Sequence, residues 1–86
     1  MIIRGTIKRL TEIQVIESPK GNAQKRTVVL EKIQEKRSKL IAFDVWGELC
    51  SYPILTIGKT ITAEIDIESK EFNNKYYNTI RAWRII

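Results

Sequence analysis

The chain has 86 residues, a formal net charge of +5, no histidine and a single cysteine, Cys50. These counts exclude two independent cores, an intramolecular disulfide, a multi-cysteine metal site and any chemistry that needs an imidazole. No run approaches the roughly 18–20 consecutive apolar residues of a membrane span, and the start Met1-Ile2-Ile3-Arg4-Gly5 lacks the blocks of a secretory leader, so the expectation is one mature cytoplasmic domain over residues 1–86 with no membrane partner.

Strand patterns run from the first residue to the last. Ile2 to Ile16 reads as one long strand. Ile3, Gly5 and Ile7 share a parity, Leu10 breaks it, and Ile13 and Val15 resume on the odd face; a phase change together with a glycine predicts a bend or bulge. Glu17 to Asn22 is a loop by its proline, glycine and asparagine content. Lys25 to Ile33 is a second strand centred on Thr27-Val28-Val29, followed by a polar, mostly basic connection from Gln34 to Lys39. Leu40 to Trp46 is a third strand, with Ile41, Phe43 and Val45 on one face and Leu40, Ala42, Asp44 and Trp46 on the other. Glu48, Leu49, Cys50 and Tyr52 suit a short helix that Pro53 would end. Thr60 to Glu68 alternates cleanly, with Ile61, Ala63, Ile65 and Ile67 on the apolar face. An extension from Ser69 to Phe72 reaches Asn73-Asn74, a dipeptide that tolerates positive φ and suits a tight hairpin turn into a last strand from Tyr76 to Ile86. Five strands with one short helix between the third and fourth predict an all-β, five-stranded Greek-key OB-fold barrel, with an SH3-like barrel as its competitor.

Charge is uneven along the chain: residues 1–40 hold ten basic and four acidic residues (+6), and residues 41–86 hold five basic and six acidic (−1). A basic domain suits a polyanionic partner. No catalytic constellation and no glycine-rich phosphate loop appear, so neither an enzyme nor a cofactor is expected. Glu64, Asp66 and Glu68 recur on one strand face; a solvated face is favoured over a cation site.

The aromatic residues carry more information. Single-strand binders stack bases on aromatic rings and track the backbone with lysine and arginine. The final hairpin holds Lys70, Phe72, Lys75, Tyr76, Tyr77, Arg81, Trp83 and Arg84. Tyr77, Thr79, Arg81, Trp83 and Ile85 share a parity opposite to Ile80 and Ala82, which are assigned to the core. Trp46 likewise opposes the apolar parity of its strand. Phe72 and Tyr76 flank the turn, where binding and a cross-strand pair pinning the hairpin are equally weighted. Lys8, Arg9, Lys20, Lys25 and Arg26 offer a basic flank near the first long loop. OB-folds bind oligonucleotides over strands 2–3 and the loops joining strands 1–2 and 4–5, where these clusters fall. Burial of Trp46 and Trp83 in a second small core or a subunit interface stays open.

The run Phe43-Asp44-Val45-Trp46-Gly47-Glu48, followed by Ile57-Gly58-Lys59, Asp66-Ile67-Glu68-Ser69, Glu71-Phe72-Asn73, Tyr77 and Arg81-Ala82-Trp83, resembles a family of short bacterial and phage proteins of unknown function. That family is similar to single-stranded DNA-binding protein. Lys20-Gly21-Asn22 and Lys25-Arg26 also match. The resemblance implies an OB-fold and single-stranded DNA binding, with motif residues carried onto Trp46, Phe72, Tyr77, Arg81 and Trp83. Where such proteins place an aromatic residue after the Gly-Asn of the first loop, this chain has Ala23-Gln24. The chain stops at Arg84-Ile85-Ile86, so recruitment of other proteins through an acidic tail is not expected.

The expectation is therefore non-sequence-specific binding of single-stranded DNA in replication, recombination or repair, by a homodimer or homotetramer. The binding residues are Lys8, Lys20, Lys25, Arg26, Trp46, Lys70, Phe72, Lys75, Tyr77, Arg81, Trp83 and Arg84. An OB module that binds protein or serves as a structural part of a phage or replication assembly, and a binder of RNA, are the alternatives.

Overall fold

A computed structural model of the protein describes residues 1–34 and 37–86. Its β-branched runs form six strands: β1 (Ile2–Leu10), β2 (Gln14–Ser18), β3 (Gly21–Gln34), β4 (Arg37–Trp46), β5 (Thr60–Phe72) and β6 (Lys75–Ile85), with a 3-10 helix, Gly47–Ser51, between β4 and β5. The hydrogen-bonded order is β1-β5-β6-β4-β3-β2, and a second pairing of β1 with β3 closes five of the strands into a barrel. All neighbours run antiparallel except β4 and β6, which meet in parallel through Asp44 and Arg81. This is the strand order of the OB-fold, as the sequence predicts.

Closure depends on β1 pairing with β5 through Ile2–Thr6 and with β3 from Thr6 onward. Gly5 sits at the crossing: a Cβ there would lie 2.8 Å from the backbone oxygen of Glu31, so only glycine lets β3 pass this close. The register then slips between Ile7 and Arg9. This bulge is the phase change that Leu10 announces. The long first strand does not continue unbroken to Ile16 but is interrupted at residues 11–13, where Thr27 N–H donates to Thr11 Oγ1 (2.9 Å) and Thr11 N–H donates to the Thr27 carbonyl (3.0 Å). Beyond the break β2 pairs with β3 alone. Ile13 and Val15 are exposed rather than core residues, because no layer packs over this edge.

The core is the inward parity of the barrel strands: Ile3, Ile7, Val28, Leu30, Phe43, Val45, Ile61, Ala63, Ile65, Ala82 and Ile85, with Cys50 and Leu55 from the connection between β4 and β5. Each fully buried aliphatic or aromatic side chain contributes about 1.5–3 kcal/mol. The 3-10 helix plugs one end of the barrel through Cys50. Its Sγ donates to the Val45 carbonyl at 3.4 Å, and burial pushes its thiol pKa up against the lowering effect of the Arg26 charge.

Three further differences from the sequence reading have physical causes. The connection between β3 and β4 is shorter than Gln34–Lys39, since the ladder continues to Ile33 opposite Ser38 and Gln34 opposite Arg37; Glu35 and Lys36 lie outside the described residues. Strand β3 begins at Gly21, because β2 gives residues 21–25 a partner. Ile67 is 48% exposed although it shares the parity of Ile65, because the β5–β6 hairpin projects beyond the barrel. Its turn is Asn73-Asn74, with φ of 51° and 63°, as two central residues of a tight hairpin require. Among the described residues no helix is long and apolar enough to cross a membrane.

Candidate nucleic-acid interface

The turn at Asn73-Asn74 sets the register of the last hairpin. Phe72 faces Lys75, Lys70 faces Tyr77, Glu68 faces Thr79 and Asp66 faces Arg81. Since Ile65 and Ala82 point inward, all eight of these side chains belong to the outer face. Phe72 and Tyr77 are diagonal neighbours there. Tyr76 instead faces Glu71, on the other side of the hairpin. The cross-strand pair of Phe72 with Tyr76 is therefore not formed.

Nearer the barrel, Ile65 pairs with Ala82 while Glu64 pairs with Arg84. Trp83 is the extra residue of a β-bulge. A bulge places two successive residues opposite one, so Trp83 and Arg84 both turn outward, while Ala82 and Ile85 both point inward and are buried. This corrects the assignment of Ile85 to the outward parity. It also gathers Arg81, Trp83 and Arg84 on one face, which strict alternation forbids.

An open groove of about 300 Å³ follows this face, lined by Trp46, Asp66, Glu68, Lys70, Thr79, Arg81 and Trp83. Trp46 reaches it because Asp44 and Arg81 join β4 to β6. The Trp46 ring is half-buried between cations from the two strands that flank β4: Lys25 Nζ lies 5.6 Å and the Arg81 guanidinium 5.4 Å from its centroid. Cation–π contacts of this kind are worth about 0.5–2 kcal/mol. Asp44 ties the same cluster, accepting from Thr27 Oγ1 at 2.8 Å and standing 3.5 Å from Lys25 Nζ. Trp46 thus holds two cations in place. Trp83 is 56% exposed, Tyr77 54% and Phe72 67%, so three rings on this face are open to a stacking partner.

The structure brings together most of the candidate residues. Trp46, Lys70, Arg81 and Trp83 line the groove, Lys25 borders it, Phe72, Lys75 and Tyr77 extend it along the hairpin, and Arg84 stands beside it, 4.0 Å from Glu64. Three others lie elsewhere. Lys8 is on β1, across the barrel from the β4–β6 seam, paired with Glu31 at 3.4 Å. Lys20 is at the turn between β2 and β3. Arg26 is engaged in the fold: its Nε donates to the Thr11 carbonyl (2.8 Å) and its Nη1 to the Cys50 carbonyl (3.2 Å), fastening the break in the first strand to the 3-10 helix.

Asp66 and Glu68 are the groove residues that the sequence reading treats only as a solvated face. A signal for them existed: a two-residue turn at Asn73-Asn74 makes paired positions sum to a constant, which sets Asp66 opposite Arg81 and Glu68 opposite Thr79. Glu64, Asp66 and Glu68 do not form a metal site; among the described residues no three metal-ligating side chains converge.

A closed five-stranded barrel of OB topology with an exposed aromatic groove across β4, β5 and β6 defines the class of this protein. The chain belongs to the family described as Domain of unknown function (DUF3127), which matches residues 2–86. No curated protein matches it.

Proposed function

We propose that this protein is a non-enzymatic binder of single-stranded DNA, acting in replication, recombination or repair by base stacking and phosphate contacts. The observation that carries the reading is Trp83: its ring stands open to solvent beside Arg81, the bulge turns Arg84 to the same face, and Trp46 lines the same groove. A cluster of exposed rings marks an interaction surface, and stacking contributes about 1–3 kcal/mol per base whatever its identity. Lys25, Lys70, Lys75, Arg81 and Arg84 supply the cations for phosphates. The resemblance of the motif residues to a family that is itself similar to single-stranded DNA-binding protein supports the same reading. So does the position of the groove, which shares β4 with the face that OB-folds use for oligonucleotides and follows the loop between the last two strands. The free edge of β2, with Val15 and Ile16 exposed, supports self-association into a dimer or tetramer, which lengthens the bound strand and raises avidity.

Fluorescence titration tests this. Single-stranded DNA of about 15 nucleotides is expected to quench the tryptophans, and the affinity to fall steeply between low and moderate salt as counterions are released. A duplex or a matched RNA oligomer serves as competitor, and light scattering reports the mass. Absence of quenching, or a Kd that stays flat with salt, would leave the aromatic face to a protein partner instead.

A further inference from the structure

We infer that the groove prefers bases with an amino group at cytosine C4 or adenine C6 over thymine. This rests on the single-strand reading above and adds a chemical preference at the same site.

The groove is not a plain cationic track. Its lining contains two carboxylates, Asp66 and Glu68, against two cations, Lys70 and Arg81. Asp66 stands directly across the ladder from Arg81, the arrangement that normally yields an ion pair. Yet the Arg81 guanidinium lies over Trp46 at 5.4 Å. The ion pairs of the described residues are Lys8–Glu31, Lys25–Asp44 and Arg84–Glu64. Asp66 and Glu68 are in none of them. Both are exposed and share the groove with Trp46 and Trp83.

An ionised carboxylate only accepts hydrogen bonds. A base resting on Trp83 shares the groove with these acceptors. Cytosine N4 and adenine N6 each present an amino donor, and glutamate or aspartate accepting from cytosine N4 is an established pairing of edge chemistry. Thymine carries O4 at the corresponding position, so an acceptor meets an anion. A surface that only stacks would rank bases by stacking strength and strand flexibility; the two carboxylates impose a different order. Two negative charges also weaken attraction for any polyanion, an electrostatic cost that hydrogen bonds to amino groups offset.

The experiment compares dC, dA and dT oligomers of about 15 nucleotides at one salt concentration and neutral pH, on the wild-type chain and on the Asp66→Asn/Glu68→Gln double variant. The wild type is expected to bind dC about five-fold or more tighter than dT, the lower end of what one edge contact discriminates. The double variant, whose amides both donate and accept, is expected to bind dT more tightly and to bring the ratio of dC to dT close to one. A thermal melt confirms that the variant is folded. Equal or tighter binding of dT by the wild type, or a ratio unchanged in the variant, overturns the preference alone. Failure of all three oligomers to bind overturns the single-strand reading and the preference with it.

Discussion

The β5–β6 hairpin has two halves that share one inward parity up to the bulge at Trp83 and meet different fates. In the half within the barrel, Ile61, Ala63, Ile65, Ala82 and Ile85 are buried against β1, β3 and β4. In the projecting half, Ile67, Glu71 and Tyr76 hold the inward parity but are all exposed. The difference lies in what stands opposite. An apolar face is removed from water only where a second layer covers it, so the same pattern gives a core below and a two-sided, solvated ribbon above. The ribbon carries Lys70, Phe72, Lys75 and Tyr77, while Arg81, Trp83 and Arg84 stand on the outer face of the barrel half, whose inner face is core. Function and stability are thereby separated by face in the barrel half and by position along the hairpin beyond it.

That separation can be broken from the barrel side. Phe43, on β4, the strand that borders this hairpin along β6, is 1% exposed; Phe43→Ala is expected to cost about 3–5 kcal/mol through lost burial and the cavity left behind. Urea denaturation would read it, and a loss under 1 kcal/mol would mean the core is not packed as described. A smaller effect is expected at Gly5, where Gly5→Ala drives a methyl group against the Glu31 carbonyl oxygen. It should cost about 1–3 kcal/mol, typical of forced overpacking, seen as a lower denaturation midpoint with an unchanged slope. An unchanged midpoint would show that β1 and β3 do not cross so closely.

The outer face of the hairpin should respond in the opposite sense. Trp83→Ala removes an exposed ring and is expected to shift stability by no more than about 0.5 kcal/mol. Its affinity for single-stranded DNA should nevertheless fall by the value of one stacked base, about 1–3 kcal/mol. A variant that unfolds, or one that binds as tightly as the parent, would erase the distinction between the core face and the binding face.

Much of the fold was legible because the barrel strands obey period two and the breakers sit at their ends. Phe43 and Val45 on one parity, Gly5 and Leu10 as signs of a bent first strand, Pro53 after a short helix and Asn73-Asn74 at the turn all have local physical causes. Much of the site was legible for the same reason: Trp46, Arg81 and Tyr77 carry polar-face parity on their strands. The bulge was harder to read. Arg84 on the inward parity and Ile85 on the outward one were its trace, a charge and an apolar residue each on the wrong face. Asp66 and Glu68 followed from the hairpin register, but that Arg81 turns to Trp46 rather than to Asp66 was not legible.

By itself the sequence determined the alternation, the turn chemistry and the inventory of rings and charges, since each depends on a residue and its near neighbours. Tertiary structure alone decided that β1 pairs on both sides to close the barrel. It also decided that Trp46 of one strand meets Lys25 and Arg81 from two others, and that Arg26 serves the fold. These are contacts between residues far apart in the chain. They exist only once the sheet has curled on itself, and no local pattern encodes which strand edges meet.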